Sequence, residues 1–373
     1  VRFRGIDYLE WIIGLDWEPQ YDLGCSEPQL EASAQEMGLT SEDIIINGHN
    51  AFGYDELREY LARRYQVSPD NVLCSLGASM ANFLICGILI ESGDEVIVER
   101  PAYEPLRKVP QLLGAKVRRL ERRFEEKYNL DLEELKRIVT RETSLIVLSN
   151  LHNPSGVLLP EESLREVGEV AASVGAHVLV DEIYLEFLFD ETPPSAFHLG
   201  EPFIVTNSLT KVYGLGGLRL GWALCSPSLV KQAQRLYISL GVHNPICAEV
   251  FGHRILSRSL GWERRVDGIQ RRLAETTPMV EDFLQGRDDL AWVEPAGGVM
   301  VFPRIKGNFS GRRLAEFLRE RYDTFVIPGH YFEDDRHFRL AYGAPPEVLR
   351  QGLKNLGCAL DELAGSGASQ GRV

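Results

Sequence analysis

Paired cysteines, long apolar runs, basic blocks and internal repeats are all missing from this chain, and each absence narrows what it can be. The six cysteines, at positions 25, 74, 86, 225, 247 and 358, form no C-x-x-C pair and keep no zinc-like spacing from the histidines. Several lie inside apolar runs, where a thiol behaves as a small hydrophobe, as in proteins of reducing compartments. No metal site is expected. No window approaches eighteen uncharged apolar residues and no apolar signal segment opens the chain, which points to a cytoplasmic protein with no membrane partner. Forty Lys and Arg stand against 54 Asp and Glu, a net charge of −14, so a nucleic-acid surface is not expected either. A chain this acidic must bind anions through a few local cations, which makes single lysines and arginines informative. The 373 residues, 44% hydrophobic and 25% charged, suit a globular chain with one large domain and a smaller one. Only the Gly/Ser-rich tail, 364–373, is expected to be disordered.

What is present is a regular alternation. Apolar runs of strand length occur at 72–76, 95–98, 116–120, 145–148, 177–180, 203–206 and 219–224. Amphipathic helical stretches separate most of them, at 80–91, 103–113, 132–139 and 161–174, and a further helix precedes them at 55–65. Seven strands in this order require an α/β fold: a mainly parallel seven-stranded sheet covered on both faces, with a turn near Lys211 adding one antiparallel strand. Long helices at 229–236 and 264–283 lead to an α+β region with strands near 291–293, 299–302, 325–327 and 338–340 and helices at 311–322 and 347–363. The expected division is an extended arm, 1–35; a large domain, 36–260; a small domain, 261–363; and the tail.

The chemistry collects on the stretch from Ser208 to Gly221. Lys211 has Ser208 three residues before it and Arg219 eight after, on a Gly-rich turn between two buried runs. Desolvation there is expected to disfavour the ammonium form, as an amine that must form an imine requires. The serine hydroxyl and the planar guanidinium suit a phosphate dianion. Other unusual residues fall at the ends of strands, where open parallel sheets bind ligands. They are Gly77-Ala78-Ser79, the segment from Asn150 to Gly156, and Asp181-Glu182-Ile183-Tyr184. Each has a plainer reading by itself: a solvated lysine on a glycine turn, a capped helix, an Asn-Pro turn, a helix cap.

Taken in order, Gly77-Ala78-Ser79, Asn153-Pro154-Ser155-Gly156, Asp181-x-x-Tyr184 and Ser208-x-x-Lys211 with Arg219 resemble the pyridoxal-phosphate-dependent class I/II aminotransferases of fold type I. The resemblance is to the aspartate aminotransferase-like members and covers almost the whole chain. A fifth segment, Phe338-Arg339-Leu340-Ala341-Tyr342-Gly343, resembles the family's carboxylate-binding arginine strand. The resemblance implies pyridoxal 5′-phosphate joined as an imine to Lys211, which would also move the proton at the substrate Cα. It implies that Asp181 pairs with the ring nitrogen, that Asn153 and Tyr184 bond the ring's phenolic oxygen, and that Tyr103 stacks on the ring. Gly77, Ala78, Ser79, Ser208 and Arg219 would hold the phosphate. Arg339, with Asn153 and Gly24, would meet a substrate amino acid or 2-oxo acid, in a homodimer.

A cis peptide is expected at Asn153–Pro154 and a second at Arg100–Pro101. One departure concerns the segment Ile46-Asn47-Gly48-His49-Asn50-Ala51-Phe52-Gly53, which lacks the family's tyrosine that reaches the partner subunit's phosphate. His49 or Asn50 is the available substitute. Amino transfer leads, because an arginine holding the substrate carboxylate favours proton removal from Cα. A β-lyase, decarboxylase or amino-acid cyclase would share every residue named. A cofactor-sensing domain of a transcription regulator fits less well, given the acidic charge and only about 35 residues before the core. Arg100, Arg107 and Arg304 are candidates to bind a side-chain carboxylate.

Overall fold

A computed structural model of the chain describes residues 5–48, 50, 52–257 and 259–370. It opens with a short helix, α1 (Asp7–Ile13), a two-residue strand, β1 (Tyr21–Asp22), and helix α2 (Asp55–Tyr65). The alternating part follows as β2 (Val72–Leu76), α3 (Gly77–Leu89), β3 (Glu95–Arg100), α4 (Glu104–Leu112), β4 (Lys116–Glu121), α5 (Leu132–Ile138), β5 (Thr143–Ser149), α6 (Glu161–Val174), β6 (His177–Asp181), β7 (Phe203–Ser208) and β8 (Leu220–Leu224). Helices α7 (Pro227–Gly241), α8 (Ile246–Ser257) and α9 (Ser259–Gln285) lead to short strands β9 (Leu290–Ala291), β10 (Met300–Val301) and β11 (Arg304–Ile305). The chain continues through α10 (Gly311–Tyr322), β12 (Thr324–Phe325), β13 (Ile327–Pro328), β14 (Phe338–Ala341) and α11 (Pro346–Gln370).

Strands β2 to β8 form one seven-stranded sheet in the order β2-β8-β7-β6-β5-β3-β4. Only β8 runs antiparallel, against both β2 and β7. The two faces divide the side chains by the strand period of two. Ile146, Leu148, Val178, Val180 and Val205 face one core, while Leu145, Val147, Leu179 and Ile204 face the other. The second core is closed by α3, α4 and α7 through residues such as Leu84, Leu106 and Ala233. Burial on both faces explains why these strands read as continuous apolar runs. In the C-terminal region β14 lies between β10 and β13, and β1 pairs in parallel with β12, so the N-terminal segment is stitched to the far end of the chain.

Four expectations change. The N-terminal arm is not wholly extended: Tyr8 N–H donates to Glu104 Oε2 at 2.7 Å and Asp7 pairs with Lys108 at 3.6 Å, docking α1 on α4. Those contacts supply the stability that a seven-residue helix lacks by itself. Helix α8 was not anticipated, because its buried face includes Glu249, which looks like a solvent position until Asn50, Asn244 and the Tyr54 amide are seen to bond it. The last helix runs past the start of the expected tail to Gln370, since small residues add to an established helix without a new nucleation cost, and 371–373 lie outside the described residues. Finally, Arg100–Pro101 is cis but Asn153–Pro154 is not; among the described residues the other cis bond is Asn150–Leu151. Asn153 is held with a trans bond by its N–H to Ser149 Oγ, 3.1 Å, and by a turn closed from Gly156 N–H to His152 O, 2.7 Å.

Candidate active site

A cavity of about 680 Å³ opens where the carboxyl ends of β5, β6 and β7 meet the start of α3. Ala78, Ser79, Tyr103, Asn153, Asp181, Tyr184, Ser208, Lys211, Arg219 and Arg339 all line it, drawn from segments up to 261 residues apart. Gly77 and Gly24 stand immediately behind, touching Arg219 and Arg339 respectively.

One end is built for an anion. Gly77 has φ +75, and a Cβ there would sit 2.7 Å from Arg219 Nη2. Gly221 on β8 passes so near that its Cβ would be 2.4 Å from the Gly77 carbonyl carbon. These glycines let the first turn of α3 approach the guanidinium, so helix N–H groups and Arg219 face one space. Arg219 is exposed within it; its Nη1 donates to Gly216 O at 3.3 Å, and no carboxylate among the described residues pairs with it. Ser208 Oγ accepts from Thr210 N–H at 3.1 Å and keeps its own proton to donate.

In the middle of the cavity, Asp181 closes β6 with 5% exposure. Its Oδ2 accepts from Asn82 Nδ2 at 3.0 Å and its Oδ1 from Ile183 N–H at 3.2 Å. Asn82 is itself fixed by Thr206, whose hydroxyl donates to Asn82 Oδ1 at 2.7 Å. Burial pushes the Asp181 carboxyl up to about 6, and no cation among the described residues pairs with it. A protonated ring nitrogen would supply the missing charge. Tyr184 shares a 2.8 Å hydrogen bond with Ser26, and Tyr103 meets the ring of Tyr8 edge-on at 5.9 Å.

The far wall holds Arg339, 2% exposed. Its Nη1 donates to Asn153 Oδ1 at 3.1 Å, its Nη2 to Tyr8 Oη at 3.2 Å and to Gly24 O at 3.0 Å. Its Nε is buried with no partner among the described residues. A buried guanidinium held only by neutral acceptors is short of an anion, and a small carboxylate would complete it. Because Asn153 Oδ1 is taken by Arg339, the Asn153 amide NH₂ is left to donate into the cavity. Lys211 corrects the sequence expectation. Burial pulls its ammonium down, but Tyr184, Glu27 and Cys25 nearby outweigh that and hold it above its ordinary value. The unmet charges of Asp181, Arg219 and Arg339, with Lys211 among them, fit a flat, phosphorylated, cationic ring and an adjoining carboxylate.

Tyr8, Asn82 and Thr206 were missed in the sequence, and Ser26, two residues from Gly24, was given no role of its own. Only Asn82 carried a signal, as the one strongly polar side chain in the otherwise apolar stretch 80–90. Asn50 is buried and its amide donates inward to Glu249 at 2.6 Å; His49 lies outside the described residues. Arg100, Arg107 and Arg304 line no part of the cavity, being paired with Glu121, with Glu104 and Glu333, and with Glu125. A second concavity, about 860 Å³, contains Arg64, Tyr65, Glu186 and Tyr213, whose charges close on one another around Glu186. Among the described residues, no group of three or more His, Cys, Asp or Glu could hold a metal ion, and no helix is long and apolar enough to cross a membrane.

Comparison with known proteins agrees with this geometry. An aspartate aminotransferase of Pyrococcus horikoshii is 26% identical over 320 residues, 83% of this chain and 82% of that protein. A capreomycidine synthase of Streptomyces vinaceus is 28% identical over 325 residues, 84% of this chain and 80% of that one. Among solved structures, a pyridoxal-phosphate-dependent aminotransferase from Streptococcus suis superposes with a TM-score of 0.89 at 25% identity, covering 97% of this chain and 99% of its own. The family model for aminotransferase class I and II matches residues 20–356, and the chain belongs to that family: it is a fold type I aminotransferase that uses pyridoxal 5′-phosphate.

Proposed function

We propose that Lys211 is the lysine through which this aminotransferase holds its cofactor, and the base that moves the proton at the substrate Cα. The observation that carries this is the placing of Lys211 in one cavity with an unpaired buried carboxylate, Asp181, and an unpaired buried guanidinium, Arg339. Arg219, Ser208, Ser79 and the N–H groups behind Gly77 and Ala78 grip the phosphate. Asp181 Oδ1 and Oδ2, oriented by Asn82 and Thr206, keep a proton on the ring nitrogen. Asn153 and Tyr184 would donate to the cofactor's phenolic oxygen, and Tyr103 would hold the face of its ring. Bound pyridoxal phosphate supplies the electron sink for the pair released when a bond at Cα breaks. Arg339 would grip the substrate α-carboxylate and so present the Cα–H bond, rather than the carboxylate bond, to Lys211 Nζ. That orientation favours amino transfer over decarboxylation. The similarity to a capreomycidine synthase keeps a cyclase as the second reading. Product analysis separates them: a 2-oxo acid with the amino group recovered on the acceptor supports transfer, whereas ammonia, carbon dioxide or a cyclised product contradicts it.

The protein is further read as a homodimer. Ile44, Ile46 and Phe52 on one loop and Ile238, Leu240 and Val242 at the end of α7 are exposed large hydrophobic side chains. The two segments adjoin, since Gln234 Nε2 donates to Phe52 O at 3.4 Å and Cys247 Sγ to Ile45 O at 2.7 Å. An apolar surface of that kind suits burial against a second copy. A cytoplasmic location is supported by the six unpaired cysteines, an amino-acid-metabolic role by the family, and a division into arm, 36–260 and 261–363 by the separate sheets.

A further inference from the structure

We infer that the substrate side chain is uncharged and apolar, branched aliphatic or aromatic, and that the enzyme discriminates against aspartate and glutamate. The inference rests on the reading of this cavity as an aminotransferase site. Among the described residues, and apart from the tyrosines, four ionisable side chains line the cavity: Asp181, Lys211, Arg219 and Arg339. Each already has a place, at the ring nitrogen, the imine, the phosphate and the α-carboxylate. Among the described residues of the chain, no further cation lines the cavity to meet a second carboxylate, and no further anion to meet a distal ammonium or guanidinium. The acidic groups nearest Lys211 and Arg339, Glu27 and Asp22, would repel an acidic side chain.

The space beyond the carboxylate seat is lined by carbon. Tyr8 marks its edge, with its hydroxyl on Arg339 and its ring against Tyr103. Around Tyr8, α1 and the residue before it present Ile6, Leu9 and Ile12 to the cavity. To the same cavity α4 presents Leu106, Val109 and Leu112, at the three-residue spacing that keeps side chains on one helix face. Met80 and Phe83 of α3 extend the same wall. Docking of α1 on α4 through Tyr8 N–H and Glu104 brings the two apolar faces to one cavity. An amino acid whose carboxylate is gripped by Arg339 can therefore bury a leucine- or phenylalanine-like side chain between them. An aspartate side chain would have to give up its hydration there with no compensating partner.

The test uses the cofactor-loaded protein in two arms. The first measures kcat/KM of the half-reaction, from the change in cofactor absorbance, for leucine, phenylalanine, aspartate and glutamate. The apolar donors should exceed the acidic ones by at least about 100-fold. Val109→Arg, which places a cation on the α4 wall, should narrow or reverse that ratio. The second arm measures calorimetric affinity for 3-phenylpropionate and succinate, which lack an amino group and report the cavity without turnover. Tighter binding of 3-phenylpropionate supports the inference. Preference for aspartate in the first arm, or for succinate in the second, overturns it. If no amino acid reacts while 3-phenylpropionate still binds more tightly, the transferase reading fails and the apolar pocket stands.

Discussion

Replacing Arg339 by lysine keeps a positive charge but removes the planar fork. In the structure that fork satisfies Asn153 Oδ1, Tyr8 Oη and Gly24 O with its two terminal nitrogens while Nε stays unpaired. A lysine ammonium reaches less far and offers a point charge, so the substrate carboxylate loses one of two charge-assisted bonds and Asn153 loses its anchor. Hydrogen bonds to charged groups contribute about 1.5–3 kcal/mol each. With some loss of orientation, the expected cost is about 2–4 kcal/mol of transition-state stabilisation, or a fall of roughly 30- to 900-fold in kcat/KM. The assay compares wild type and Arg339→Lys with an amino acid and with its decarboxylated amine. The amine, which never meets the guanidinium, should lose only what the displaced Asn153 costs, and so clearly less than the amino acid. A melting temperature close to wild type would show that the fold survives. Equal losses for amino acid and amine would refute the carboxylate role and reopen decarboxylation.

Asp181→Asn should act in opposite directions on the cofactor-free protein and on cofactor binding. A carboxyl raised from 3.8 to about 6 penalises the folded state once ionised: the penalty is absent below pH 3.8 and fully developed above about pH 6. The cofactor-free variant should therefore gain up to about 3 kcal/mol in urea unfolding at pH 7.5 and nothing at pH 3.5, while losing cofactor affinity. Arg122→Met should cost about 3–5 kcal/mol, because it strands Glu99, which is fully buried and bonds Arg122 at 2.7 Å and Ser149 N–H at 2.6 Å. Unchanged denaturation would show that Glu99 is already protonated. Ile46→Glu together with Ile238→Glu should convert a dimer to monomer in sedimentation; an unaltered dimer would place the interface elsewhere.

Much of this architecture can be seen in the residue order because its interactions are local or periodic. Strands buried on both faces leave apolar runs, and glycines at 77 and 221 mark close backbone approach wherever they are found. What was hidden depends on distant partners. Tyr8 becomes a site residue only because α1 docks on α4 and brings it to Arg339, 331 positions away. Ser26 reaches Tyr184 across 158 positions. Glu249 disguises α8 because its partners sit 195 and 199 residues earlier. The Lys211 expectation went the wrong way for a similar reason: the apolar neighbours were visible in sequence, whereas Glu27, Cys25 and Tyr184 were brought in by the fold.

The central claim is that Lys211 bears the cofactor. Borohydride reduction of the loaded protein, followed by proteolysis and mass spectrometry, tests it directly. The pyridoxyl group should appear on the peptide containing Lys211, with none on the same peptide or any other after Lys211→Ala. A label on a different lysine, or an adduct that persists in Lys211→Ala, would contradict the account.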